Sequence, residues 1–440
     1  MSIITLMPST SRLTAIAPIR ACDGCTDFVH DEMAGVAMTV ADDATKAQAL
    51  ARHSQASDYL ERARTLVPLV DSEAEEAERT RAVTDKVAQA LREAGLPWML
   101  VPQRLGGGGL GLADCVEVIE TVTAADASVG LILQAYTIGN GLWAGFLTPS
   151  AAQRLFLRDD RKVLCGTPFP PGRATVVDGG VKVTGRWPFG SGAKHADLIG
   201  GGAIVCDDEG NQRLNPDGSP DMRFVLLPRA QVTLEGNWNV SGMVGSDSQD
   251  FSADGVFVSD EMAPPVISPG TEPYQPDGMY RMSVYTFTVP GHAAVALGLT
   301  RRALQEVANL TAGKKRLGYP TPVDEYPVFL SDFAKYDAMY QSARAYLLGT
   351  LREAQDYADR EGSLTPELES RVRQASTWTH HVAEPVVNFA RHWAGTKGFK
   401  EPSALARVGR DLAVAGTHVQ VDPITLVEAG PALLDSWKTN

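Results

Sequence analysis

Chemistry is concentrated in a few short stretches of this chain. "RDLAVAGTHVQVDP" (410–423) places His418 just beyond a helical run, where a loop could aim the ring into a cavity. An imidazole there suits a general base or a hydrogen-bond partner, while a helix-end histidine with no chemical task has the same spacing. "GRWPFGSGAKHAD" (185–197) runs from an aromatic strand into Gly190, Ser191 and Gly192. The flat rings of Trp187 and Phe189 could wall a planar cofactor, with the Ser191 hydroxyl and glycine-exposed backbone N–H groups approaching it closely. Closure of a β-layer by an aromatic strand end is the alternative. Ser191 is a poor nucleophile, since the GxSxG pattern is not met and His195 is too near in sequence to face it. "GNWNVSGMVGSDSQDF" (236–251) is similar in kind: Gly245, Ser246 and Ser248 could supply donors to phosphate or flavin oxygens, or only build a turn.

Other signals point to bland readings. "GGGGLG" (106–111) fits GxGxxG and precedes a helix, but "WMLVPQRL" before it holds Pro102 and polar residues where a buried parallel strand should lie. A glycine turn joining helices is expected instead. His380 and His381 are adjacent and diverge on a helix, and His30, His53 and His392 lack ligand-spaced partners, so no metal site is expected. The "CDGC" pair, Cys22 and Cys25, has no second CxxC or His pair and reads as chance. With five cysteines in 440 residues, a disulfide scaffold is excluded and a reducing cytoplasm is the simplest compartment. The net charge of −13 disfavours nucleic acid. The apolar run 129–147 is broken by Gln134, Asn140 and glycines and reads as a buried helix, so no membrane span is expected. The first 37 residues or so lack a secretory pattern and are expected to be disordered or to precede the true start.

The elements that must position these stretches follow from periodicity. A helix is expected from Asp71 to Gly95, opened by Ser72 and Glu75 at capping-box spacing, with Val83, Val87 and Leu91 on one face. Helices over about 112–126 and on to Leu147 complete an α-helical region, 59–163, after an N-terminal extension, 1–58. From 164 to 268 short β-rich runs alternate with Gly, Pro, Asp and Asn, and "VVDGGVKV" signals a hairpin, so a small antiparallel barrel or sandwich is expected. Over 269–440 helices return at about 291–312, 366–394 and 403–418. A further long helix is marked by the stripe Phe333, Tyr336, Tyr340, Ala343 and Leu347, giving a four-helix bundle.

Together these stretches resemble the acyl-CoA dehydrogenase superfamily over about residues 60–425, and more closely its two-component, reduced-flavin-dependent monooxygenase branch. "LVPQRLGGGGLGLADCVEVIETVTAADASVG" is similar to the family's N-terminal helical segment. "VTGRWPFGSGAKHAD" and "WNVSGMVGSDSQDFSADGVFV" are similar to the flavin-side strands of the branch, and "GTKGFKEPSALARVGRDLAVAGTH" to the late "GG…GY…RDA" motif. The resemblance implies an α+β fold of N-terminal helical domain, middle antiparallel β-barrel and C-terminal four-helix bundle. It implies a flavin between barrel and bundle, contacted by Trp187, Phe189, Ser191, Gly192, Gly245, Ser246 and Ser248. "KKR" (314–316), with Arg316, would be a basic group for phosphate. Two departures stand out: Asp247 occupies the family's "TGS" turn, and Gly190–Ser191 replaces the paired serines of some relatives.

It further implies FMNH2 or FADH2 delivered by a separate NAD(P)H-flavin reductase, O2 as co-substrate, and a homotetramer or dimer. One oxygen atom would pass through a C4a-hydroperoxyflavin to an aromatic or heteroatom-containing small molecule, with His418 as catalytic base or hydrogen-bond partner and Ser191 beside the ring. The carboxylate base of the dehydrogenases would fall at Val419 or near Thr288, and neither is acidic. A dehydrogenase-like FAD oxidoreductase and a non-catalytic relative are the rival readings.

Overall fold

The computed structural model describes residues 54–207 and 209–438. The "CDGC" pair and the expected disorder of the first residues lie outside that range. A first helix, α1 (54–80), breaks at Arg81, whose φ is 61°, and the chain restarts as α2 (Asp85–Glu93) with Thr84 Oγ1 accepting from Val87 N. The single helix expected from Asp71 is therefore two. Ser72 lies inside α1, where its hydroxyl donates to the Leu69 carbonyl instead of capping. Val83, Val87 and Leu91 are buried as their spacing requires, and Gly95 turns the chain at φ 75°.

The glycine run is a turn, preceded by short 3-10 turns (Leu96–Trp98, Gln103–Leu105) and not by a strand. Gly107 lies so close to the preceding segment that a Cβ would stand 2.2 Å from the Val101 carbonyl oxygen. It opens into α3 (Leu112–Ala125) and α4 (Ala127–Phe146), separated by Asp126, an extended residue whose carboxylate accepts from Val129 N at 3.0 Å. α4 is buried on most of its circumference, and a short α5 (Pro149–Phe156) follows.

The middle region is a sheet of β1 (Leu164–Val177), β2 (Gly180–Trp187), β3 (Leu198–Cys206), β4 (Met222–Pro228), β5 (Thr233–Leu234) and β6 (Phe251–Ser259), in the order β4-β3-β1-β2-β6-β5. The hairpin expected in "VVDGGVKV" joins β1 to β2, with Val177 opposite Gly180. The sheet is mixed and not wholly antiparallel. After the hairpin the chain crosses back over 188–197 to the far side of β1, so β3 lies parallel to it, Leu164 opposite Leu198. That crossover is the segment carrying Ser191. β6 pairs with β2, and the turn 243–249 leads into it.

The remaining helices are α6 (Val284–Thr311), α7 (Pro327–Glu361), α8 (Pro366–Ala394), α9 (Ala404–Ala415) and α10 (Ile424–Asp435). α6 starts earlier than 291 because Ser283 caps it, leaving Pro290 inside. α8 has the expected bounds, opened by Thr365 and Pro366. On α7, Tyr340, Ala343 and Leu347 are buried and Phe333 and Tyr336 pack on the same core. α6 is packed between α3 and α4 on one side and α8 on the other. Arg302 of α6 donates to Asp71 and the Ala124 carbonyl, and Arg344 of α7 to Glu117 and Glu120. These pairs tie the bundle to the first helices.

Candidate functional site

The crossover and the turn before β6 meet. Gly190 N donates to the Gln249 carbonyl at 2.9 Å, Gly192 N to the Ser246 carbonyl at 3.3 Å, and Tyr136 on α4 donates from its hydroxyl to the Gly192 carbonyl at 2.6 Å. Gly192 has a φ of 74°, and a Cβ there would stand 2.5 Å from the Tyr136 oxygen. Ser191, Ser248 and Ser246 form a row of hydroxyls, each step 2.8 Å, ending at 2.7 Å on the Met243 carbonyl. A carbonyl only accepts, so Ser246 donates to Met243, Ser248 to Ser246, and Ser191 to Ser248. The half-buried Ser191 oxygen is left with lone pairs alone, an acceptor for an incoming N–H.

The aromatic neighbours divide. Trp187 is 0% exposed, its indole N–H bound to the Gly202 carbonyl at 2.8 Å and its ring stacked on Phe251, so it presents no surface to a ligand. Phe189 is 64% exposed, sits at φ 61°, and meets the Trp238 ring edge-on. His195 is engaged elsewhere, donating to the Val83 carbonyl. Asp247 is half-buried at φ 48°, its carboxyl raised by burial and pulled back by Gln249, Lys194, His195 and Arg229. A carboxylate in this turn opposes a phosphate, and Lys194 and Arg229 offset it.

The turn is held from below by α9. Asp411 Oδ1 accepts from Met243 N at 2.6 Å, and Gly242 approaches so closely that a Cβ would lie 2.0 Å from the Arg410 carbonyl oxygen. Asp411 is buried, and desolvation, then the Asp126 carboxylate, push its carboxyl up to about 7. Arg410 pairs with Glu78 and Glu401. The "RD" pair thus serves structure: it fastens the serine turn to α1 and α9.

The second half lies where the segment after α9 meets α6. His418 stacks on His292 with ring centroids 3.7 Å apart and planes at 22°. His418 Nδ1 accepts from Gln420 N at 3.3 Å, and the Gln420 side chain donates to Thr288 Oγ1 at 2.6 Å. Tyr285 donates to the Gln420 carbonyl. His380 on α8 donates from Nε2 to the His292 carbonyl at 3.2 Å, and Gln134 on α4 lies 3.4 Å from His292 Nε2. Burial holds His292 well below the ordinary imidazole value, its two histidine neighbours adding to the effect, and brings His380 down to about 4. Desolvation lowers His418 as well, tempered by the solvent that reaches this exposed residue. α4 touches both halves, through Tyr136 at the serine loop and Gln134 at the histidines.

Two domain descriptions match this chain: "Acyl-CoA dehydrogenase, N-terminal domain" over residues 58–154 and "Acyl-CoA dehydrogenase, C-terminal domain" over residues 290–423. The chain belongs to the acyl-CoA dehydrogenase family. Within it, an indole-3-acetate monooxygenase of Pseudomonas putida is 27% identical over 81% of this chain and 88% of its own. The oxygenase component of an FADH2-dependent resorcinol hydroxylase of Rhizobium sp. is 26% identical over 80% and 88%. The structure of XiaF from Streptomyces sp., in complex with FADH2 and glycerol, superposes with a TM-score of 0.77 at 20% identity, covering 87% of this chain and 96% of its own.

The resemblance would put the carboxylate base of a dehydrogenase at Val419 or near Thr288. Thr288 and the Val419–Gln420 segment do come together, but what joins them is an amide-to-hydroxyl hydrogen bond. Arg316 is not brought to the serine loop: its guanidinium donates to the His392 and Trp393 carbonyls at the end of α8 and stacks over Trp393. His292, His380 and Gln134 went unread in the sequence as members of the site. His292 and Gln134 were marked only by being polar within apolar helices, "TVPGHAAVALG" and "VGLILQAY".

Proposed function

We propose that the chain is the oxygenase component of a two-component flavin monooxygenase. It takes reduced flavin, FMNH2 or FADH2, from a separate NAD(P)H-flavin reductase and uses O2 to insert one oxygen atom into an aromatic or heteroatom-containing small molecule. The observation that carries this reading is the meeting of Thr288, Gln420, His418 and His292 where a dehydrogenase needs a carboxylate. Proton abstraction from an acyl thioester has no carboxylate there to perform it, whereas neutral imidazoles suit an uncharged aromatic guest.

The serine loop fits a reduced isoalloxazine: Ser191 offers lone pairs to a flavin N–H, Gly192 lets backbone come close, and Phe189 supplies an exposed ring face. The flavin when bound supplies oxygen activation; the chain binds, orients and excludes water. Gly245, Ser246 and Ser248 act through the turn 243–249 on which Ser191 of the crossover rests. Trp187 supports the loop from within the sheet, and Arg316 remains a proposed phosphate contact. The division into 59–163, 164–268 and 269–440 is proposed on the change from helix to strand and back.

We further infer a homotetramer or dimer, supported by Ile424, Val427, Leu434 and Trp437, exposed along α10 and just past its end. A cytoplasmic setting is supported by the unpaired state of Cys115, Cys165 and Cys206. No described helix is long and apolar enough to cross a membrane.

The test supplies chemically reduced FMN or FAD and O2 with a panel including indole-3-acetate, resorcinol and indole. Oxygenated product is expected, and His418→Ala should lower its formation about a hundredfold or more while reduced-flavin binding stays nearly unchanged. Reduction of bound flavin by an acyl-CoA without oxygen would overturn the reading.

A further inference from the structure

Resting on the reading that His418 faces the substrate, we propose that His418 is a hydrogen-bond donor and not a base, so that the site takes aromatics presenting an oxygen or nitrogen lone pair to its Nε2–H. The argument is one of proton placement. Gln420 N is a backbone donor and can do nothing but donate, so His418 Nδ1, 3.3 Å away, must hold a lone pair. In the neutral ring the proton is then on Nε2. That leaves Nε2–H as the open polar atom of His418, with no lone pair free to take a proton from an approaching O–H.

The neighbours hold the ring in this form. Gln420 is anchored at both ends, its side chain on Thr288 and its carbonyl under the Tyr285 hydroxyl, so the N–H that selects the tautomer is fixed in place. His292 from α6 is stacked on the ring, His380 from α8 is bound to the His292 carbonyl, the Gln134 amide lies at His292 Nε2, and the Tyr285 hydroxyl sits on the Gln420 carbonyl. Arg373, over the Tyr285 ring, is already paired with Glu428. Among the described residues no carboxylate pairs with His418, so an imidazolium there would have only solvent to stabilise it. His292, stacked face to face and itself neutral, brings no counter-charge. Burial of His292 and His380 as neutral rings is consistent with that.

The consequence is a specificity statement. A phenolate, a carbonyl or a ring nitrogen lone pair finds a donor. A phenol is held through its oxygen and keeps its proton at this contact, or arrives already ionised. An N–H aimed at the ring meets a second donor.

Nitrogen-15 NMR of histidine-labelled protein decides the point without flavin or turnover. The His418 signals, identified by their loss in His418→Gln, are expected to show a protonated Nε2 and an unprotonated Nδ1 in the neutral form. A neutral Nδ1–H form, or an even mixture of the two, overturns the proposal. The variant pair gives a second reading on whichever aromatic is oxygenated: His418→Gln, which keeps an N–H near the Nε2 position but cannot act as a base, should stay within about tenfold of the unsubstituted protein, with His418→Ala at least about tenfold lower still. Equal losses overturn the proposal. If the tautomer is as expected but reduced flavin never supports oxygenation, the oxygenase reading fails while the proton placement stands.

Discussion

The serine end and the histidine end of the site are built on opposite principles. At the serine end every hydroxyl has its partner, and backbone at Phe189, Met243 and Asp247 is held at positive φ by packing from α4 and α9. At the histidine end burial holds His292 and His380 neutral, no carboxylate among the described residues pairs with them or with His418, and His380 Nδ1 is buried without a partner. One end is prepared by strain and close backbone approach, the other by removal of charge. Preorganised geometry suits a cofactor that must lie in one pose; a neutral, adaptable wall suits a guest held by a single polar contact.

The largest effect that could break this contrast is expected at Gly242. Gly242→Ala puts a methyl group into the Arg410 carbonyl, and a loss of about 3 kcal/mol in stability is expected from forced overpacking against backbone. Thermal or denaturant unfolding checks it; a change within experimental error would show that the turn is not clamped.

Smaller and more local is Ser191→Ala, which removes the terminal acceptor and its donation to Ser248 while leaving the Ser248–Ser246–Met243 steps in place. Loss of one hydrogen bond of about 1 kcal/mol should weaken reduced-flavin binding about fivefold and lower stability by about 1 kcal/mol or less. Anaerobic titration reads the first and unfolding the second.

The finest discriminator is the sign of the pH dependence. Burial raises the folded Asp411 carboxyl to about 7 from its ordinary 3.8, so between those values the folded chain holds a proton that the unfolded chain has released. Stability therefore falls as pH rises through that window and is level above it. His380, lowered to about 4 from 6.5, does the reverse: the unfolded chain binds the extra proton, so stability rises with pH from about 4 to 6.5. Asp411→Asn should remove the first slope and His380→Leu the second, each followed by unfolding midpoints across pH 4 to 8. Identical profiles in the two variants would erase the distinction.

What the sequence made legible follows the same division. α3, α4 and α8 were readable because caps and apolar periodicity are local, and the serine stretches because Gly and Ser mark turns. The contact between Ser191 and Ser248 was not, since 57 residues separate them and only the crossover to β3 brings them together. The antiparallel sheet expected from strand texture missed the β1–β3 pair for the same reason: the direction of a strand after a long connection is a tertiary outcome. The helix from Asp71 was split because Thr84 caps better than Ser72 can from within a turn already hydrogen-bonded. His418 stood out by its place at a helix end, but His292 is a lone polar residue in an apolar helix, a pattern shared with any satisfied core histidine.

α4 reaches both ends of the site, and that gives it the character of a gauge. A helix advances about 1.5 Å and turns about 100° with each residue, so Gln134 and Tyr136 look toward different walls and their offset along the axis is set by residue count alone. Substitutions along α4 alter how firmly each wall is held. A one-residue insertion or deletion between Gln134 and Tyr136 would turn one contact through about 100° against the other, decoupling the two ends at a stroke. On the proposed reading, substrate preference is free to drift at the histidine wall while the length of this one helix is not.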